Sequence, residues 1–363
     1  MSIKNFFGWK TKRKIIVFES DDWGSFRFKN KSIRDKYIRK FDSRLWMHNN
    51  DSFESFDDLY ALSEVLDSFK DSQNRSVCFT FLMNPSNPNF KKIEADNFKY
   101  FYFEPFLETL EKRQDGKQIF HWYKNALQEN LIEVGFHGRE HLNVKQWMSD
   151  IRNGNDVAIR SFNDRVWGLS KVYEPNVRSS YRATFDLTSK QDLGDLRTNI
   201  EEGIALLNDT FCQNTTYFLP PNGIYHLNLN PALVTNGIKF IGLPKLYNNP
   251  LEHRWYQKKL FWLGKKTNEK LTVITRNVMF EPGSPRHGNW IETALTQIAV
   301  AFKNKQPAVI STHRANYVGD LNTDNKKRGL DQLSNLLLQI KSKWPDVEFM
   351  TSSQLGHLIN NPN

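Results

Sequence analysis

The sequence contains little cysteine and no long apolar run. Cys78 and Cys212 are the only cysteines among 363 residues, which excludes a disulfide framework and indicates a reducing compartment. No stretch approaches the roughly 20 apolar residues of a membrane span. The first apolar run, Ile15 to Phe18, is too short for a secretory signal. We therefore expect a soluble, cytoplasmic protein without a transmembrane segment.

Signatures of nucleic-acid binding are missing, although the net charge is +10. The chain has no zinc-knuckle spacing, no aromatic RNA-binding signature and no long arginine tract, so we expect no nucleic-acid partner. Its first basic residues, from Lys4 to Lys14, are interleaved with Phe6, Phe7 and Trp9. Two interpretations of this leader stay open. It makes weak peripheral contact with an anionic membrane, or it is a solvated lead-in to the first strand.

Apolar runs that alternate with helical stretches are the main structural signal. Seven runs have the composition of buried strands: residues 14–20, 76–83, 131–136, 215–219, 239–243, 307–312 and 347–351. Helical segments of about ten residues or more separate most of them, which is typical of right-handed βαβ units and a parallel sheet. The chain shows no internal repeat and no low-complexity linker. We predict one α/β domain over residues 1–363, a distorted parallel (β/α) barrel of about seven strands.

Two segments interrupt this alternation and are predicted to be insertions. Residues 24–75 form a long, helix-rich excursion after the first strand. Residues 243–290 are predicted to contain a β-hairpin, with 259–263 and 271–276 as its strands. Its turn region is rich in lysine: Lys258, Lys259, Lys265, Lys266 and Lys270. Such excursions usually shape a substrate cleft, where these lysines would favour an anionic substrate. The alternative is a solvated basic surface.

Polar clusters follow four of the predicted strands directly. They are Asp21-Asp22, His137 to His141, Pro220 to Gly223, and His313 to Tyr317. Because parallel barrels carry their active sites at the carboxyl ends of the strands, we expect these clusters to converge. Each cluster alone is weak evidence for a functional site, because an Asp-Asp pair is commonly a solvated turn and a single histidine is commonly a core residue. Their shared position at strand ends makes the combination informative.

The clusters supply the ligands and the proton carriers of a metal-dependent hydrolase. Two histidines four residues apart can face one divalent ion, and a carboxylate from another strand completes three ligands. An open position then holds water, whose pKa falls to about 7. One of two adjacent carboxylates can bind metal while the other accepts a proton. A histidine on a further strand can protonate the leaving group.

A competing motif overlaps the histidine pair. Residues 137–141 also fit the H-x-x-E-H pattern of inverted zinc peptidases, in which Glu140 would be the base. That chemistry requires a helix, but Gly135 and Gly138 bracket His137 and cost about 1 kcal/mol each in a helix. It would also leave the Asp-Asp pair and His313 without a role, so we set it aside.

Together these segments resemble the polysaccharide deacetylase family, carbohydrate esterase family 4. The matching segments are Phe18 to Gly24 (FESDDWG), Glu133 to His141 (EVGFHGREH), Leu219 to Gly223 (LPPNG), Val309 to His313 (VISTH) and the closing unit from Leu330 to Leu355. The resemblance covers most of the chain. It implies a distorted (β/α) barrel that removes N- or O-linked acetyl groups from an acetylated sugar or polysaccharide.

The resemblance also implies residue roles. Asp21 would be the general base, His313 the general acid, and Asp22, His137 and His141 the ligands of one divalent ion. Zinc is the first expectation for this thiolate-free site, with cobalt, nickel and manganese as alternatives. Further residues near these segments are predicted to contact substrate: Trp23, Arg182, Pro221, Asn222, Arg314 and Asn316.

The chain departs from the family at three positions. Leu219 stands where the family has an arginine that orients the base, Asn222 where it has a tyrosine, and Ser20 where it has an aromatic residue. Arg182 is the candidate for supplying the missing positive charge. Two other function classes stay open. A glycoside hydrolase would use Glu19, Asp21 or Asp22 with a second carboxylate about 5 to 9.5 Å away. A non-catalytic glycan-binding relative is favoured by Leu219 and Asn222.

Overall fold

A curled parallel β-sheet lies at the centre of the molecule. The computed structural model describes residues 7–37, 46–169, 181–187, 189–252, 255–285 and 288–361. Its strands are β1 (Lys14–Trp23), β2 (Phe79–Met83), β3 (Ser86–Pro88), β4 (Phe103–Pro105), β5 (Ile132–Phe136), β6 (Tyr217–Phe218), β7 (Phe240–Gly242), β8 (Leu246–Pro250), β9 (Tyr256–Leu260), β10 (Thr272–Ile274), β11 (Val278–Met279), β12 (Ala308–His313) and β13 (Val347–Phe349).

Helices connect most of these strands. They are α1 (Lys31–Tyr37), α2 (Trp46–Asn50), α3 (Phe56–Asp67), α4 (Phe90–Ala95), α5 (Phe106–Glu111), α6 (Gly116–Gln128), α7 (Val144–Arg152), α8 (Asp156–Asn163), α9 (Asp192–Phe211), α10 (Asn230–Thr235), α11 (Trp290–Lys303), α12 (Thr323–Lys343) and α13 (Ser352–Asn360). Among the described residues, every helix is too short or too polar to span a bilayer.

The strands follow one another in a barrel-like order. In the described chain, eight parallel strands pair as β10-β7-β6-β5-β2-β1-β12-β11, and β13 pairs with the start of β1. Residues 275–277 alone separate β10 from β11, so the two edges of the sheet lie within about 14 Å of each other along the chain. The sheet is therefore a curled half-barrel whose edges are linked by this short segment.

The predicted number of about seven strands was too low. The two strands that the sequence analysis did not place in the sheet are β10 and β11, which have only 3 and 2 residues. Such short strands leave no apolar run of recognisable length. Both lie within residues 243–290, so this segment is only partly an insertion and contributes two strands to the central sheet.

The predicted hairpin was also paired incorrectly. Residues 259–263 and 271–276 do not pair as a ladder; the nearest antiparallel contact is an isolated bridge between Lys266, in the predicted turn, and Thr272. Instead β9 pairs antiparallel with β8, while β10 pairs parallel with β7. The lysines do not specify which residues of two strands pair with each other, whereas the buried Thr272–Ile274 segment fits the interior of a parallel sheet.

Burial explains why the central strands form. Nine of the ten β1 residues are buried, as expected for a parallel strand covered on both faces. The rings of Phe18 and Phe79 stack across β1 and β2 with centroids 4.8 Å apart.

In α12, a side chain at Gly329 would come within 1.8 Å of the Asn316 carbonyl oxygen. Glycine at this position lets α12 pack directly against the loop that follows β12.

The excursion after β1 brings buried polar residues close to the carboxyl ends of the sheet strands. It holds α1, α2 and α3, and α3 begins with a capping box in which Ser55 and Asp58 bond reciprocally. The segment between α2 and α3 is largely buried. It brings Asp51 and Glu54 beneath the carboxyl ends of the strands, where both are fully covered.

Candidate active site

A bulge at the end of β1 presents Asp21 and Asp22 to the same cleft. The register of β1 against β2 shifts between Ser20 and Trp23, and Asp22 has a φ of 76°. In a regular strand, neighbouring side chains would point to opposite faces. The bulge removes that alternation, so both carboxylates line one cleft. The left-handed conformation costs most residues about 1 to 2 kcal/mol, and aspartate is among those that tolerate it.

Asp22, His137 and His141 form a possible metal site. One ligand atom from each residue lies within 4.8 Å of the other two. The Nε2 atoms of His141 and His137 are 3.2 and 3.6 Å from Asp22 Oδ1. All three side chains are buried. Two imidazole nitrogens and one carboxylate oxygen suit a divalent transition metal and leave a coordination position for another ligand.

Hydrogen bonds and local charge prepare the two histidines as ligands. His137 Nδ1 donates to the Leu219 carbonyl oxygen at 2.7 Å, so its Nε2 is the nitrogen that faces Asp22. Burial lowers the pKa of His141 to about 4, so its imidazole is neutral at pH 7. Metal ligation requires this neutral form. The backbone carbonyl of Leu219 therefore orients the His137 ring without any contribution from the Leu219 side chain.

Arg27 balances the charge of Asp22. Its Nη2 donates to Asp22 Oδ2 at 2.7 Å, on the oxygen that does not face the histidines. Burial alone would raise the pKa of Asp22, but the Arg27 charge and the contacts with His141 and His137 hold it well below its ordinary value. Asp22 is therefore anionic throughout the physiological pH range.

A buried asparagine positions the loop that carries the histidines. Asn84 follows β2, between β1 and β5 in the sheet, and its Nδ2 donates to the carbonyl oxygens of His137 at 2.5 Å and Gly138 at 3.0 Å. Its backbone amide donates to the Trp23 carbonyl oxygen at 2.9 Å. Asn84 thus joins the Asp-bearing and His-bearing segments. Residues 137–141 are not helical, which agrees with setting the inverted-peptidase motif aside.

Arg276 holds Asp21, a role that the sequence analysis had offered to Arg182. The guanidinium of Arg276 bonds both oxygens of Asp21, including Nη1 to Oδ2 at 2.8 Å, and its Nε donates to Glu19 at 2.6 Å. Burial alone would raise the pKa of Asp21, but Arg276 lowers it below its ordinary value. Arg182 instead lies across the cleft, with Nη1 3.4 Å from His48 Nδ1. The positive charge that bonds Asp21 therefore comes from Arg276 and not from Arg182.

His313 lies beside Asp21 because their strands are in register. The β1–β12 ladder pairs Asp21 with His313, and His313 Nε2 is 3.7 Å from Asp21 Oδ2. His313 Nδ1 donates to Glu281 Oε1 at 2.6 Å. Burial alone would lower the pKa of His313, but Glu281 and Asp21 raise it to about 9. The imidazole is therefore protonated at neutral pH, with Nε2 on the side of Asp21.

Two of the six residues predicted to contact substrate line the cleft, which encloses about 910 Å³. They are Arg182 and Asn222. Asn222 is exposed and left-handed, with φ 54°, in the short turn after β6. The cleft is also lined by His48 and Lys245, which the sequence analysis did not single out. Burial and the nearby Arg182 charge lower the pKa of His48 well below its ordinary value.

The other four residues lie behind the cleft surface. Trp23 is buried, stacks on Phe81 with ring centroids 3.7 Å apart, and donates to Ser20 Oγ. Pro221 is also buried. Neither residue lines the cleft, because the bulge in β1 and the turn after β6 direct these side chains into the protein.

Arg314 and Asn316 are buried in the turn that follows β12. Arg314 donates to Asp51 Oδ1 at 2.6 Å and to Glu54 Oε2 at 2.7 Å. Asn316 Nδ2 donates to Glu281 Oε2 at 2.8 Å. The turn points both residues inward, so neither lines the cleft, and both bond charged residues behind it.

Arg276 and Glu281 are the principal residues that sequence reasoning missed. Both follow short strands of the sheet, β10 and β11 respectively. The rule that located the other clusters, polar residues directly after a strand, applies to them as well. The predicted hairpin over residues 271–276 conceals this position for Arg276, and the two residues of β11 are too few to indicate a strand before Glu281. His48 had no comparable signal, since it comes from a long excursion without strands.

Comparisons with known proteins bear on the fold. No family model and no curated protein matches the sequence. An allantoinase structure matches with a TM-score of 0.50 at 10% identity, covering 98% of this chain and 94% of that chain. A protein from Mycobacterium smegmatis proposed to be a polysaccharide deacetylase matches with a TM-score of 0.48 at 10% identity, covering 98% and 93%. A branching enzyme of glycoside hydrolase family 57 from Thermococcus kodakaraensis matches with a TM-score of 0.48 at 10% identity, covering 97% and 72%. At 10% identity, the allantoinase match indicates a shared overall fold.

Proposed function

We propose that the protein is a metal-dependent hydrolase of the polysaccharide deacetylase type that removes acetyl groups from an acetylated sugar in the cytoplasm. The observation that carries this proposal is that a three-residue metal site and an Asp21–His313 pair lie in one cleft. Asp22, His137 and His141 would hold one divalent ion, with zinc as the first candidate and cobalt, nickel or manganese as alternatives. When bound, such an ion polarises the acyl oxygen and lowers the pKa of water to about 7.

The residues around this site divide the proton transfers between them. Asp21, kept ionised by Arg276, accepts the proton of the water that attacks the acetyl carbon. His313 donates a proton from Nε2 to the leaving nitrogen or oxygen, because its Nδ1 is engaged by Glu281. The carbonyl carbon gains a bond to the water oxygen and loses its bond to the sugar. The products are acetate and a free amine or hydroxyl group.

The charges of the carboxylates argue against a glycoside hydrolase. That chemistry needs a protonated carboxylic acid opposite a second carboxylate. Asp21 and Glu19 both accept hydrogen bonds from Arg276, and Asp22 accepts one from Arg27. None of these three is therefore placed as a proton donor, whereas His313 is. The pairing of Asp21 with His313 also favours catalysis over a purely glycan-binding role.

We also propose that the substrate carries negative charge. Arg182 and Lys245 line the cleft and would attract an anionic group. The lysines from Lys258 to Lys270, on which the sequence analysis based this idea, are not among the lining residues.

Metal analysis of the purified protein, combined with acetate release from a panel of acetylated sugars, tests this proposal. We expect about one metal ion per chain in the wild-type protein and none in the double variant His137→Ala, His141→Ala. Asp21→Asn should keep the metal and lose about two to four decades of rate, the usual contribution of a positioned base. Stoichiometric metal in the double variant would contradict the ligand assignment. Metal loss in Asp21→Asn but not in Asp22→Asn would exchange the roles of the two carboxylates.

A further inference from the structure

The β8–β9 hairpin exposes one face, which we call the outer hairpin face. In the antiparallel ladder Leu246 lies opposite Leu260, so their side chains share one side of the hairpin. By the alternation of β9, Tyr256 and Lys258 lie on the same side as Leu260. Tyr247, on the opposite side, is buried against the protein. The hairpin therefore has a covered inner side and an uncovered outer side.

This outer face is unusually apolar for an exposed surface. Leu246 is 55% exposed, Tyr256 45% and Leu260 64%, and Trp255 at the hairpin tip is 73% exposed. Six of the fourteen exposed large hydrophobic side chains in the described chain lie between residues 246 and 262. Scattered single residues of this kind are normal, but a contiguous exposed group marks an interaction surface.

The charges around the face have one dominant sign. Residues 245–270 contain six lysines and two glutamates. Glu252 lies 3.6 Å from Lys190 Nζ, and Glu269 accepts a hydrogen bond from Asn230 at 2.7 Å. Lys258 lies on the outer face itself, and Lys265 Nζ is 4.3 Å from the centre of the Trp262 ring. Surfaces that lie in the headgroup region of an anionic bilayer typically combine tryptophan, tyrosine and leucine with neighbouring lysines.

We propose that the outer hairpin face docks on the surface of an anionic lipid bilayer. The apolar side chains would enter the headgroup region while the lysines meet the lipid phosphates. A second copy of the chain is a poorer occupant, because a two-fold contact would place the lysines of one face against those of the other. Leu246 also lines the candidate active-site cleft. Docking through this face therefore brings the mouth of the cleft to the membrane surface.

Cosedimentation of the full chain with lipid vesicles tests this docking. Vesicles of phosphatidylcholine with 30 mol% phosphatidylglycerol should retain the wild-type protein at low salt, and pure phosphatidylcholine should retain it less. Trp255→Ser with Leu260→Ser should lower the partition coefficient at least tenfold, since both side chains are exposed on this face. The matched control is Tyr60→Ser with Leu338→Ser, which removes side chains that are 52% and 59% exposed elsewhere. The control should bind like the wild type.

Charge reversal gives a second measurement. Lys258→Glu should lower the partition coefficient onto anionic vesicles by about fivefold or more, the factor for roughly 1 kcal/mol per basic residue near such a surface. Lys117→Glu, on α6, changes net charge equally and should have a much smaller effect.

Several outcomes would overturn the docking. They are failure of the wild type to sediment with anionic vesicles, equal losses in the hairpin and control variants, and equal losses in Lys258→Glu and Lys117→Glu. A lipid-free dimer, detected by light scattering and dissociated by Leu260→Ser, would assign the face to self-association instead. The test does not depend on the proposed hydrolase activity, because vesicle binding is measured without substrate. The double variant His137→Ala, His141→Ala should bind vesicles like the wild type.

Discussion

Each of the two buried aspartates of the site forms an ion pair with its own arginine. Arg276 holds Asp21, and Arg27 holds Asp22. A carboxylate removed from water needs a partner of this kind, because an unpaired buried charge is strongly destabilising. The pairing also fixes which oxygen stays available, since Arg27 occupies Asp22 Oδ2 and leaves Oδ1 to the histidines. Positive side chains therefore determine both the charge and the orientation of the reactive groups.

Replacement of Arg276 should impair both folding stability and turnover. Arg276→Ala leaves Asp21 and the buried Glu19 without their shared cation, which should lower the free energy of unfolding by about 3 kcal/mol. Without Arg276 the pKa of Asp21 should rise and its orientation should be lost, so kcat should fall at least tenfold. Denaturant unfolding and acetate release measure the two effects.

A second variant separates the two roles of Arg276. Adding Glu19→Gln to Arg276→Ala should restore part of the stability without restoring kcat, because one of the two unpaired charges is gone. The comparison residue is Arg182, since Arg182→Ala should leave the stability contribution of Asp21 unchanged. Equal effects of Arg182→Ala and Arg276→Ala on kcat and on unfolding would refute the assignment of Arg276 as the partner of Asp21.

The pH dependence of turnover should report the contact between Glu281 and His313. Glu281 helps to raise the pKa of His313 to about 9, and a general acid loses activity as the pH rises through its pKa. Glu281→Gln should therefore move the alkaline limb of the rate profile to lower pH, by about one to two units. The control is Glu111→Gln, an exposed glutamate at the end of α5. An unmoved alkaline limb in Glu281→Gln would show that His313 is not the titrating acid.

At the scale of elements, the positions of the reactive groups follow the ends of the strands. Asp22, His137 and His313 were predicted because each follows an apolar run long enough to identify as a strand. Arg276 and Glu281 follow β10 and β11, whose few residues form no such run. Short parallel strands are specified by their neighbours in the sheet, and a single sequence does not display those long-range contacts. The candidate metal ligands and His313 could therefore be predicted from the sequence, while Arg276 and Glu281, which bond Asp21 and His313, could not.

Arg314 links the excursion after β1 to the turn after β12. It bonds Asp51 and Glu54, and Asp51 in turn lies 2.6 Å from Arg27. Arg314→Met should therefore lower the free energy of unfolding by about 3 to 5 kcal/mol, the usual effect of breaking a fully buried ion pair. Arg328→Met, an exposed arginine on α12, should cost less than about 1 kcal/mol. Denaturant unfolding of both variants measures the difference, and equal costs would show that the buried network contributes nothing specific.

At the scale of the whole molecule, the sheet gathers residues that are distant in sequence. Asp22 and His141 are separated by 119 positions (141 minus 22), yet their side chains approach to 3.2 Å. The charge of the candidate metal site is already neutralised in part, because Arg27 pairs with Asp22. The fold should therefore not require metal, in contrast to small domains that are unfolded without it. Bound metal should still add stability, since it binds the folded chain and the unfolded chain lacks the site.

Thermal unfolding should reveal this added stability. A metal ion at a free concentration one thousand times its Kd adds about 4 kcal/mol. For a chain of 363 residues this corresponds to a rise in Tm of about 5 °C, given an unfolding entropy of about 2.1 cal/mol/K per residue. Chelation should remove the rise from the wild type, and the double variant His137→Ala, His141→Ala should show no rise at all. An equal rise in the double variant would place the stabilising metal elsewhere in the molecule. Complete unfolding on chelation would instead show that Arg27 does not suffice to hold the carboxyl ends of the strands together without the ion.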